Sequence, residues 1–241
     1  MKEKLEKIWT KDYINSLPII IKERGFNYSI NEESKDILIT GINPSFRIGA
    51  ENGNSYFDFR LIAKDERYDT YWSSLKKIVY DKDLNINYLS RTAYLDIFYF
   101  RETDQNFLRN NILRNSKGLD FIIDQIKLTQ EIIESIIKPK LIIVKNKESA
   151  AYWGKFAEKG IIWMGYKLEL LQKYESGELY KICGLIESKE RVYQELKKTN
   201  LENSLIFFTQ HFQYAPKNKK PNATLTKEFL AIQESLNKTS H

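Results

Sequence analysis

The stretch from Asp36 to Gly49, D-I-L-I-T-G-I-N-P-S-F-R-I-G, decides the fold. Ile37, Leu38, Ile39 and Thr40 form a short apolar, β-branched run that reads as a buried strand, and Gly41 and Pro44 stop it within a few residues. A buried strand that ends in a tight polar turn places that turn at the carboxyl edge of an α/β sheet, where ligands bind in this class of fold. Gly41 allows close approach of the backbone, Asn43 offers an uncharged amide, Pro44 stiffens the loop, and Ser45 offers a hydroxyl and a backbone N–H to a phosphate. Asn43 also suits an Asx-type turn that merely shapes the loop before Pro44.

Working outward, Leu141–Val144 has the continuous apolarity of a parallel central strand, and Tyr94–Phe100 and Ser204–Thr209 add two more strand-like runs. In Y-L-D-I-F-Y-F, Leu95, Ile97 and Tyr99 are expected on one face and Asp96, Phe98 and Phe100 on the other. Helical spacing is read over residues 2–24, broken at Pro18 and closed by Gly25, and again over 71–79, 148–158, 188–198 and 226–236. The clearest helix spans 119–137, with Leu119, Ile122, Ile123, Ile126, Ile133, Ile136 and Ile137 on one stripe before Pro139. Asn27–Ile30 adds a short edge strand. Strands alternating with helices predict an α/β fold, a three-layer α/β/α sandwich around a central, mostly parallel four-stranded sheet. Tyr166–Tyr174 and Leu179–Leu185 flank Glu175-Ser176-Gly177-Glu178, which predicts an inserted β-hairpin at 166–185. The chain is expected to be one domain over 1–241, with an N-terminal helical segment at 1–30.

Hydrophobic residues make up 42% of the 241 and prolines number five, which excludes a largely disordered chain. No apolar run approaches the roughly 20 residues of a membrane span, and the lysine-rich start lacks the apolar core of a signal peptide, so a cytoplasmic protein is expected; a monomer is expected as well. Cys183 stands alone, which excludes an intramolecular disulfide and a four-cysteine iron–sulfur cluster. It reads as a small buried hydrophobe. There are two histidines, His211 and the final His241, so no metal site and no cofactor are expected and a catalytic histidine must be His211. A Walker loop and a Rossmann glycine motif are both absent. The formal charge of +6 favours a polyanionic partner.

A strand followed by Gly41-Ile42-Asn43-Pro44-Ser45 resembles the first catalytic motif of the uracil-DNA glycosylase superfamily, closest to the Gly-Ile-Asn-Pro-Gly of its mismatch-specific branch. Gln210-His211-Phe212, after the last strand-like run, falls where that superfamily carries its second motif, without the usual His-Pro-Ser or Asn-Pro-Ser wording. The resemblance implies a monofunctional DNA glycosylase, a base-excision enzyme that hydrolyses the N-glycosidic bond of a flipped uracil or other deaminated or mismatched base. Asn43 would hold the attacking water, His211 would donate to the base oxygen, and Gly41, Ile42, Phe57 and Asp96 would line the base site. Ser45, Arg47, Phe212, Tyr214, Lys217 and Lys219 would contact DNA, the aromatics wedging into the stack beside phosphate-bound lysines.

Several of these residues have a second reading. Phe57 fills core equally well, Lys217, Lys219 and Lys220 suit a solvated loop, and Asp96 suits an ion pair with Arg91 or Arg101. Family members often place an asparagine near Asp96 to read the base edge; here there is none between Arg91 and Arg101. At the level of function the alternatives are a catalytically silent DNA-binding member or a hydrolase of free nucleosides or nucleotides. A serine hydrolase using Ser45 and His211 lacks the Gly-x-Ser-x-Gly elbow.

Overall fold

The computed structural model describes residues 1–47, 49–64, 70–209, 216 and 219–239. The strands in chain order are β1 (Asn27–Ser29), β2 (Ile37–Gly41), β3 (Ser55–Phe57), β4 (Tyr80–Asp81), β5 (Ile86–Asn87), β6 (Thr92–Asp96), β7 (Leu141–Val144), β8 (Tyr166–Tyr174), β9 (Gly177–Leu185) and β10 (Leu205–Thr209). The helices are α1 (Lys2–Trp9), α2 (Ile19–Arg24), α3 (Phe59–Lys64), α4 (Thr70–Val79), α5 (Gln105–Phe107), α6 (Ser116–Ile132), α7 (Ala150–Trp153) and α8 (Ala223–Thr239). Six strands form one mixed sheet in the order β6-β2-β7-β10-β9-β8. β6, β2, β7 and β10 run parallel, and β9 and β8 join them antiparallel.

Every residue of β2, β6, β7 and β10 is buried, as parallel strands covered on both faces require. Leu38, Leu95, Ile142 and Ile206 pack with Leu5 and Ile8 of α1 and Phe121, Ile122 and Ile126 of α6. Ile37, Ile39, Ile143 and Phe207 turn the other way, onto Leu75, Ile78 and Val79 of α4 and Phe229 and Leu230 of α8. From β2 the chain passes to β6 on one side, then through α6 to β7 on the other. Strand order therefore reverses between β2 and β7, the place where open α/β sheets hold ligands beyond the carboxyl ends. No helix among the described residues is long and apolar enough to cross a membrane.

The structure corrects several expectations. The hairpin forms over 166–185, but it extends the main sheet through β9 pairing with β10, so the sheet has six strands rather than four. β1 pairs with β3 in a separate two-stranded sheet instead of edging the main one. Residues 97–100 lie beyond β6, and the expected alternation ends there: Ile97, Phe98, Tyr99 and Phe100 all join the same core as Leu95. Leu119 is 38% exposed, off the buried stripe of α6. Gly154, left-handed at φ 100°, ends α7 after four residues, and a Cβ there would meet the carbonyl of Tyr166 at 2.7 Å, so the position requires glycine. No helix forms over 188–198. Arg191 donates to the carbonyls of Tyr193 and Leu196, and Gln194 to those of Ser188 and Arg191, so side chains take the carbonyls a helix would have used. Cys183 is half-buried on β9 with its thiol toward Glu169 Oε2 at 3.3 Å, a polar setting rather than a core one.

Candidate active site at the carboxyl end of the sheet

The last residue of β2, Gly41, lies opposite the last residue of β6, Asp96, in the parallel ladder. A Cβ on Gly41 would fall 2.0 Å from Asp96 Oδ1, 2.6 Å from the Tyr94 hydroxyl and 3.2 Å from Lys145 Cε. The absent side chain thus makes room for neighbouring protein groups, where the sequence suggested room for a ligand. Tyr94 and Asp96, two residues apart on β6, share a face, and the Tyr94 hydroxyl donates to Asp96 Oδ1 at 2.8 Å. The Tyr71 hydroxyl, from α4, lies 2.7 Å from that of Tyr94. With the Tyr94 proton given to Asp96, Tyr71 is the donor to Tyr94.

Lys145 is the first residue past β7, across the strand-order reversal from Gly41, and its backbone N–H bonds to the Thr40 carbonyl at 3.2 Å. Its Nζ sits 3.5 Å from the centroid of the Tyr71 ring and 5.3 Å from that of Tyr94. It forms no ion pair among the described residues. Burial holds the Lys145 amine well below the usual lysine range. Burial likewise pushes the Asp96 carboxyl up to about 7, against the hydrogen bond from Tyr94, which lowers it. The Tyr94 phenol is raised well above its ordinary value, first by burial and then by the Asp96 charge.

A wall of rings completes the cluster. Phe57, half-buried at the end of β3, lies 5.3 Å from Trp72 and 5.9 Å from Tyr94, and Trp72 lies 5.1 Å from Tyr71. Gly41, Asp96 and Phe57, three residues assigned to the base site, are therefore brought together around Tyr94. Ile42 is not: its side chain is 5% exposed in the core, and its carbonyl accepts from the Phe98 N–H at 2.8 Å.

The loop beyond Gly41 is tied to the segment after β6. Asn43 Nδ2 donates to the carbonyls of Glu102 at 2.6 Å and Pro44 at 3.1 Å, and the Glu102 N–H donates to the Pro44 carbonyl at 2.9 Å. Phe46 is held between the guanidinium groups of Arg24 and Arg101, 4.6 Å and 4.8 Å from its ring centroid. Ser45 and Arg47 are exposed on either side of it.

Neither arginine expected beside Asp96 is there. Arg91 Nε donates to Asp36 at 2.7 Å, and Arg101 donates to the carbonyls of Arg24, Glu51 and Gly53. The partner of Asp96 is a hydroxyl on its own strand. Lys219 is exposed in a turn after Pro216. His211, Phe212, Tyr214 and Lys217 lie outside the described residues.

Sequence reasoning missed Lys145 and Tyr71. A lysine directly after a fully apolar strand was the available signal for the first; Tyr71 reads only as one position of an amphipathic helix. Tyr94 was within reach, because period-two alternation puts it beside Asp96. Chemically, the cluster offers a carboxyl able to give or take a proton near neutrality and an amine with a weakened hold on its proton, beside aromatic rings packed against the core. No protein-family model, curated protein or solved structure matches this chain.

Proposed function

We propose that the protein is a DNA base-excision glycosylase, hydrolysing the N-glycosidic bond of an extruded deaminated or mismatched base. One observation carries this: the Gly41–Arg47 loop stands at the carboxyl ends of parallel strands where their order reverses, with a carboxyl and an aromatic wall beside it. The four parallel strands with helices on both faces support a uracil-DNA glycosylase-like core, here enlarged by the hairpin.

Glycosidic cleavage separates an oxocarbenium-like sugar from an anionic base, and needs a placed water and a donor to the base. Asn43 places the water, its rotation fixed by the two carbonyls its amide serves. Asp96 meets a base N–H or takes the proton of the water, a task for which a carboxyl titrating near 7 is matched at neutral pH. Phe57 stacks on the base, Ser45 and Arg47 grip phosphate, and His211 donates to the base oxygen. Flipping costs least for bases already mispaired, which makes these the expected substrates.

A second reading, a DNA binder that does not cut, is favoured by those same two donations from Asn43, since a residue that only shapes its loop makes them as well. Labelled oligonucleotides carrying uracil, hypoxanthine, xanthine or a G·U or G·T mismatch, single- and double-stranded, separate the two. Alkali-labile abasic sites at one of these bases are the expected product. Salt-sensitive binding without any product establishes the silent binder instead.

A further inference from the structure

Lys145 is the amine of the cluster, and base excision assigns it no task. No carboxylate among the described residues pairs with it; its amine lies against aromatic rings instead. Its walls are the faces of Tyr71 and Tyr94, with Nζ 3.5 Å and 5.3 Å from the ring centroids. Lys145 Cε, Asp96 Oδ1 and the Tyr94 hydroxyl all lie within 3.2 Å of the single point a Cβ of residue 41 would occupy. The amine's stem and the carboxyl therefore converge beside Gly41, at the carboxyl end of β2.

We propose that Lys145 is a nucleophile whose Nζ forms an imine with the open-chain aldehyde of a deoxyribose that has lost its base, so that the protein also cuts the DNA strand at abasic sites. This rests on the reading that this end of the sheet receives a DNA sugar. A desolvated lysine in an apolar pocket is a recognised form of activated amine, and the lowered proton affinity of Lys145 increases its free-amine fraction. The Nζ lone pair attacks C1′ and a proton passes from Nζ to the aldehyde oxygen, giving a carbinolamine. A second proton, from Asp96, lets that oxygen leave as water and yields the protonated imine. Asp96, now a carboxylate, removes a proton from C2′; the C2′–C3′ double bond forms as the C3′–O bond breaks and the 3′ phosphate departs. One water then hydrolyses the unsaturated imine and frees Lys145. One water leaves and one enters, and no oxidant or reductant is consumed.

The test starts from an oligonucleotide with a pre-formed abasic site, so that it does not depend on base excision. The full chain is incubated with it in sodium cyanoborohydride, which reduces an imine to a stable amine. A covalent protein–DNA adduct on a denaturing gel is expected, with peptide mass mapping to Lys145. Lys145→Met should lose at least about tenfold of the adduct while keeping a cooperative melting transition, and Lys147→Met, at a neighbouring exposed lysine, should retain it. An adduct that maps elsewhere, that survives undiminished in Lys145→Met, or that never forms on the wild type overturns the proposal. Excision without adduct overturns this inference alone; adduct without excision overturns the glycosylase and leaves this inference standing.

Discussion

At the scale of single residues, the energetics of the site centre on two groups whose burial works against their charge. Asp96 binds its proton more tightly in the folded chain, at about 7 against an ordinary 3.8. Between those values the folded state holds more protons than the unfolded state, so stability falls as pH rises from about 4 to about 7. Urea unfolding across that range should show the fall, and Asp96→Asn should flatten it. Lys145 has the opposite linkage. Its folded proton affinity is lowered, so the unfolded state holds more protons below its ordinary 10.5, and stability rises with pH through that window. Lys145→Met removes this rise and should raise the unfolding midpoint at pH 7; a lowered midpoint would show that the amine has an anionic partner. Gly41→Ala is a steric test. Its Cβ would need the position held by Asp96 Oδ1, and overpacking of this kind costs about 1–3 kcal/mol, readable by chemical denaturation.

At the scale of elements, Glu134 shows why the helix after β6 ends as it does. It lies in the π-type turn Ile133–Ile137 that closes α6, is 1% exposed, and accepts from the Tyr166 hydroxyl of β8, the Thr199 hydroxyl and the Asn200 N–H. Helix, edge strand and the approach to β10 are stapled through one carboxylate. Glu134→Ala strands two buried hydroxyl donors and should cost about 2 kcal/mol or more in urea unfolding, given 1–3 kcal/mol for each unsatisfied group. Such staples explain what the sequence concealed. β2, β7, β10 and the hairpin were legible because continuous or alternating apolarity dictates them. The non-helical path of 188–198 was not, since it depends on where the Arg191 and Gln194 side chains find carbonyls. The Gly41–Arg47 turn at the end of β2 and the placing of Asp96 beside it on β6 could be read from the chain as strand-end positions. Lys145 carried only a weak local signal, its place after an apolar strand; that it lies beside Gly41 comes from β7 pairing with β2, a fact of topology.

At the scale of the whole molecule, a net charge of +6 accompanies the proposed binding edge at the carboxyl ends of four parallel strands. Affinity for DNA should therefore fall steeply and linearly in log–log terms with salt, by about tenfold or more between 50 and 200 mM, as phosphate contacts demand. Salt-insensitive binding would point to a free nucleoside or nucleotide. The most direct measurement is the single-turnover rate of free-base release from a mismatched duplex, by mass spectrometry of the released base. It should be made on the wild type, on Asn43→Ala at the carboxyl end of the sheet, and on Glu33→Ala, an exposed residue before β2 at its amino end. A rate that falls at least about tenfold in Asn43→Ala, a barrier change of about 1.4 kcal/mol, and is unchanged in Glu33→Ala is the predicted result. Equal rates in all three, or no release from the wild type, would contradict base excision at this edge.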